Sequence, residues 1–398
     1  MKSMIKQQPN QEYIKKYTKL LTGLLNLSVQ GLEDMYLPEK YEFAMKKKKV
    51  NGKVIIEGEN LRYSLINLLG LHKAQSHNLP VKIDLRKIVL HQLGKVDTYT
   101  GVGEIGLLLW ATALISPEDI KIILPKVNFN NIFETYNDAR LGNTMELSWL
   151  LTGLLLASTF DENFKKTIGN LPIEIYNKIR KNYGGVGVFR HEAKVSLNGK
   201  LRGKIGSFAD QVYPIYAFSL YSQQMNNEEA LMIAKDCAQK MCDHQGEQGQ
   251  WMWHYNAETG DVVSKFPVYS VHQDAMAPFT LFAVQKATGI NFEEYIYKGL
   301  DWLEENNELN ANMIDWENNA VWRRIAQPNS KRKTKLLLSL LGINLKDEYN
   351  SLEVLYESWS YHLGWILFAF AGRVGTEQNN EKNIPDAKTG NLKIFNLN

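Results

Sequence analysis

The densest concentration of side chains able to do chemistry lies in residues 250–278, which carry Trp251, Trp253, His254, Tyr255, Tyr269, His272 and Asp274. An acid close to an imidazole at the head of an apolar helix sits where burial and neighbours move a carboxyl pKa toward neutrality. Asp274 is therefore expected to act as a catalytic acid or base, with His272 beside it. The simpler role for the same residue is to complement the helix dipole. Asp210 opens a second helix in the same way and is the other candidate acid. Two carboxyls across a cleft suit glycosidic bond hydrolysis, in which one donates a proton and the other activates water or attacks. The surrounding aromatic rings would stack on sugar faces, and they would equally stabilise a carbocation.

His254 and His191 each sit beside an aromatic residue upstream of these acids, and both are candidates for proton transfer or ligand contact. His254 joins the expected catalytic set. The expected substrate-binding set is Trp251, Trp253, Tyr255, Tyr269, His191, Arg190, Arg62 and Arg323, with Arg324 a further cation. Guanidinium groups bind carboxylates in a bidentate fork, which would suit an acidic sugar such as a uronate; the alternative is a salt bridge between repeats. No metal or cofactor is expected. Cys237 and Cys242 lie on different faces of one helix and lack the spacing of zinc ligands, so they read as small buried hydrophobes. The glycines Gly184, Gly185 and Gly187 are not followed by the Lys-Ser/Thr of a phosphate loop, and no Gly-x-Ser-x-Gly elbow occurs.

Helices must position these groups. Apolar residues recur at helical spacing through most of the chain, and several segments are apolar on nearly every face. Helix heads align at Arg62, Glu104, Glu146, Asp210, Asp274 and His362, with longer intervals in the second half where insertions fall. Asn51-Gly52, Asn198-Gly199 and Glu258-Thr259-Gly260 each mark a strand–turn–strand insertion. The expectation is an all-α fold, an (α/α)6 toroid of repeated helical hairpins over residues 1–373, with short β-hairpin insertions on one rim. Residues 374–398 read as a polar tail. Glu104 and Glu146 head such apolar helices that a structural place at the base of the ring is expected for both.

The toroid pattern resembles the six-hairpin glycosidases and the related lyases and epimerases, which bind sugars in a central cleft. One further motif, Gln245-x-x-x-Gly249-x-Trp251, resembles the repeat of the terpenoid cyclases, although it occurs once and no Asp-x-Asp-Asp run accompanies it. The resemblance implies a carbohydrate-active enzyme working by hydrolysis, elimination or epimerisation. A terpenoid-cyclase-like enzyme and a non-catalytic binding toroid remain open. Net charge of +3 gives no basic surface of the kind nucleic acid requires. The basic runs at Lys46–Lys49 and Lys331–Lys335 read as solvated loops. No apolar stretch reaches the ~20 residues of a membrane span. Two cysteines point to a reduced cytoplasm. The oligomeric state is not fixed by the sequence.

Overall fold

A computed structural model of the chain describes residues 11–129, 144–192, 204–328 and 351–374. The helices, in chain order, are α1 (Gln11–Met35), α2 (Leu61–Ser76), α3 (Leu85–Gly94), α4 (Val102–Ile115), α5 (Thr144–Phe160), α6 (Glu162–Ile168), α7 (Leu171–Arg180), α8 (Ala209–Met225), α9 (Glu228–Asp243), α10 (Ala277–Thr288), α11 (Glu293–Asp301) and α12 (Ser360–Phe370). Asn60, Asp84, Asp161 and Asn227 start α2, α3, α6 and α9 by accepting a backbone N–H of the first turn.

Helices α2, α4, α5, α8, α10 and α12 pack each against the next, and α12 packs back on α2. They are the inner ring. The others return the chain outside it: α1 covers α12 and α2, α3 covers α2 and α4, α7 lies on α5, α9 bridges α8 and α10, and α11 lies on α10. Alternation of inner and outer helices brings all six inner N-termini to one end. Buried residues cover nearly every face of α4 and α5, as inner helices require. Inner helices also approach closely at glycines. A Cβ on Gly70 would fall 2.0 Å from the Gly364 carbonyl oxygen, and one on Gly153 would fall 2.3 Å from that of Gly106.

Rings from non-adjacent inner helices meet on the axis. Trp110 of α4 lies 5.8 Å from Trp365 of α12 and stacks on Tyr216 of α8 at 5.2 Å. Phe279 of α10 stacks on Trp365 at 4.7 Å, and the Trp365 indole N–H donates to the Tyr213 hydroxyl at 3.1 Å. Trp110 and Trp365 are fully buried. This layer divides the interior into two ends.

Short antiparallel sheets gather at the N-terminal end of the ring, because their strands lead into inner helices. Strands β1 (Glu42–Val50) and β2 (Lys53–Glu59) form the hairpin expected at Asn51-Gly52, where φ of +51° and +78° fit a tight primed turn, and β2 runs into α2. His254–Asn256 and Val262–Ser264 form the hairpin around Glu258-Thr259-Gly260. The hairpin expected at Asn198-Gly199 lies outside the described residues, as do the run Lys331–Lys335 and the tail beyond residue 374.

One local expectation is corrected, beside the sixth inner helix. That helix, whose head was aligned at His362, begins at Ser360, and Glu357–Trp359 just before it pairs with Lys46–Lys48 as an edge strand. The basic run at Lys46–Lys49 is consequently no loop. Lys46 pairs with Glu57 and Glu357, and the buried Lys47 pairs with Asp34 and donates to the Asn318 carbonyl. Short outer helices such as α3 and α11, and strands of two or three residues, escaped a reading based on long periodic stretches.

Candidate active site

Every helix head aligned in the sequence delivers its residue to the same rim. Between α11 and α12 the chain contributes Arg323 and Arg324, which flank the strand residues Val268–Tyr269. Just before α10 the backbone makes a π-helical turn over His272–Met276. Such turns insert an extra residue into a helix and re-aim the side chains around it.

Asp274 lies on that turn, fully buried, with Oδ1 2.6 Å from Nε2 of the equally buried His362 at the head of α12. Among the described residues Oδ2 has no hydrogen-bond partner. Burial pushes the Asp274 carboxyl above its ordinary value, more than His362 pulls it down. His272 stacks on Phe208 at 4.1 Å, and burial drives its pKa down to about 3 despite a bond to the Trp251 backbone. Buried and stacked, it packs as a wall beside Asp274.

Asp210 is a different kind of acid. The amide and hydroxyl of Ser207 donate to Oδ2 at 2.8 and 2.6 Å, and His191 Nδ1 lies 3.1 Å from the same oxygen. Burial raises this carboxyl, but the three partners outweigh burial and leave its pKa below the ordinary value. The two acids are also not equivalent by position. Gln211 and Gln273 do one job in their two units, each accepting a backbone N–H from a residue 22 positions upstream, Phe189 and Trp251 respectively. Asp210 precedes its glutamine and Asp274 follows its own. The expected symmetry between Asp210 and Asp274 is thus shifted, and the π-turn absorbs the shift.

The cations divide similarly. Arg62 is committed: Nε lies 2.6 Å from Glu104 and Nη2 2.6 Å from Glu146. Glu104 and Glu146 are therefore at the rim, not at the base of the ring, and their structural role is to join α2, α4 and α5 through one guanidinium. Arg323 is partly exposed, stacked 3.3 Å above the Trp359 ring and 3.5 Å from Glu357. Arg324 is buried and donates to the Tyr269 hydroxyl at 3.0 Å. Arg190 fixes its strand through its backbone to Asn182 and Thr144.

Of the aromatics, Trp253 stacks on His254 at 4.1 Å and meets Tyr269 edge-on at 5.2 Å, beside Arg323. Trp251 and Tyr255 do not join them. Trp251 is fully buried against Gly299 of α11, and Tyr255 is packed beside Cys237 and Cys242, so neither has a face for a sugar. The motif that ends at Trp251 is a clamp: Gln245 donates to the carbonyls of Gly249 and Tyr295, and Gly249, at φ +90°, presses on the Lys298 carbonyl. Both cysteines are buried, which raises their thiol pKa values.

No protein-family profile and no curated protein sequence matches the chain. Solved structures do. An unsaturated glucuronyl hydrolase from Bacillus sp. GL1, described as responsible for glycosaminoglycan degradation, superposes with a TM-score of 0.56 at 13% identity, covering 88% of this chain and 95% of that one. A glycosyl hydrolase family 88 protein from Bacteroides vulgatus gives 0.55 at 12% identity, with 90% and 99% covered. A possible GH105 member from Salmonella enterica gives 0.56 at 10%, with 89% and 93% covered. The fold is the six-hairpin glycosidase toroid.

Within this toroid the sequence pointed to Asp274, Asp210 and Arg323 as rim residues but passed over the partner that defines the first of them. His362 was visible as the sixth helix head, the slot that holds an acid in four of the other five units. Tyr361 and Tyr63 were also missed. They lie 4.5 Å apart beside Trp359, and burial raises both hydroxyls, Tyr361 to about 12. Nothing in their local spacing separates them from core aromatics; only the closed ring places them near Arg323.

Proposed function

We propose that the chain is a glycoside-cleaving enzyme acting on an oligosaccharide with an acidic sugar, with Asp274 as its proton donor and acceptor. The Asp274–His362 pair carries this reading: a carboxyl with raised pKa, a single histidine partner and one unbonded oxygen at the rim of a glycosidase toroid. Asp210 is saturated by its own partners, so one carboxyl is left for the chemistry. One suffices for an unsaturated uronyl group. The protonated carboxyl adds its proton to the ring double bond, leaving an oxocarbenium ion. Water then adds to that ion and returns a proton to the same carboxylate, and the hydrated sugar opens to release its neighbour. Arg323, stacked on Trp359, supports binding of the sugar carboxylate. Asp274 has no surface open to water, so the reading requires substrate to meet it through Oδ2 as the rim opens.

That burial also favours a second reading, a toroid that binds a glycan without turning it over. A mixed glycan array, followed by incubation with unsaturated uronyl oligosaccharides, tests both. Loss of the ultraviolet absorbance of the double bond with wild type, reduced about 10²- to 10⁴-fold in Asp274→Asn, supports the enzyme. Equal glycan binding by both forms without turnover supports the second reading. No glycan bound by either form sinks both.

A further inference from the structure

On the far side of the axial aromatic layer from the rim, residues of α2, α4, α8, α10 and α12 line a cavity of about 160 Å³. Its wall is largely apolar, with Leu114, Tyr216, Phe279, Phe282 and Phe368 facing one another. The axial layer of Trp110, Tyr216, Phe279 and Trp365 stands between it and Asp274.

Three cations border this apolar chamber: Lys73 from α2, Lys286 from α10 and Arg373 just beyond α12. Gly372, at φ +83°, turns the chain over the His77 ring, where a Cβ would fall 2.3 Å from the imidazole, and so delivers Arg373 to the cavity. Lys73 donates to the Phe368 carbonyl at 2.7 Å. Arg373 donates through Nε to the Ala369 carbonyl at 3.1 Å and lies 3.9 Å from the Phe282 ring.

Cations at helix C-termini are favoured by the dipole, and those two bonds account for one donor on each side chain. Among the described residues they leave two ammonium hydrogens of Lys73 and both terminal nitrogens of Arg373 unbonded. Neither side chain has a carboxylate at ion-pair distance among the described residues. Burial, with Arg373 and Lys286 adding to it, lowers Lys73 to about 7; burial also lowers His72 and His77 on the same wall. Two like charges converge where solvation is poor, and among the described residues the nearest answering carboxylate, Glu293, favours the Arg373 charge without forming an ion pair with it.

We infer that this chamber binds a small amphipathic carboxylate, with its charged group on Lys73 and Arg373 and its apolar body among Phe279, Phe282 and Phe368. A sugar would leave hydroxyls unpaired against the aromatic wall. A phosphate dianion would have too few donors for its oxygens, whereas one carboxylate fits a guanidinium fork and an ammonium. The site is independent of the reading of the rim.

Calorimetric titration of the full chain with benzoate and hexanoate, and with benzamide and hexanamide as neutral isosteres, tests it. The carboxylates bind and the amides bind about tenfold or more weakly. Lys73→Met and Arg373→Met each weaken carboxylate binding about tenfold to a hundredfold, with thermal midpoints held or raised because a poorly solvated cation is gone. Near pH 8, binding to wild type takes up a proton, read from the buffer dependence of the enthalpy, and Lys73→Met abolishes that uptake. No binding of either carboxylate by wild type at millimolar concentration overturns the inference. Amides binding equally well, or both variants binding like wild type, would do the same.

Discussion

Asp210 and Asp274 are both fully buried at helix heads, yet their partners set opposite consequences for stability. Asp210 has its pKa held below the ordinary 3.8 by His191 and Ser207, so its contribution is present above that value and lost as pH falls through the folded pKa. Asp210→Asn should cost about 2 kcal/mol at pH 7, a gap that narrows in acid. Asp274 has a raised pKa, so its folded form is most favoured when protonated, and stability falls as pH rises through that folded pKa. Asp274→Asn should then melt no lower than wild type at pH 7, with the gain vanishing below the ordinary carboxyl range. Thermal unfolding of both variants from neutral to acid pH checks the two signs together. Asp274 was legible as a candidate because an acid stood beside a histidine at a helix head. Its real partner was not, because His362 lies 88 residues away and is joined to it only by closure of the ring.

Elements meet the rim through devices that local sequence shows unevenly. Arg62 ties the heads of α2, α4 and α5 through Glu104 and Glu146, all three side chains being largely shielded. Arg62→Met would leave two carboxylates facing each other and should destabilise the fold by about 3 kcal/mol, measured by denaturant unfolding. At the seam where α12 meets α2, Gly70 and Gly364 let the backbones touch. Gly70→Val should lower stability by at least about 3 kcal/mol, since backbone rather than a flexible side chain would have to move. The helices and the Asn51-Gly52 hairpin were readable from period and turn chemistry. The π-turn was not, because its extra residue shows only when Gln211 and Gln273 are seen doing the same work on opposite sides of their acids.

Six helix heads in the sequence became six inner N-termini at one rim, so the architecture was legible from repetition. The interior was less so. Trp110, Tyr216, Phe279 and Trp365 are ordinary core aromatics when read singly, and only the closed ring makes them one layer. Solved toroids of the same shape confirm the fold at 10–13% identity. At that distance the substrate must be argued from this chain's own groups.

The ring layer across the axis closes the toroid, so it is not a tunnel. On the proposed glycan-cleaving reading, a substrate entering at the rim would have no exit below, so it could not thread through, and only a terminus could descend toward Asp274. Degradation should consequently trim from the end. Single sugars would accumulate from the first turnovers while a long polymer kept its viscosity, and an early fall in viscosity would show that chains are cut internally instead.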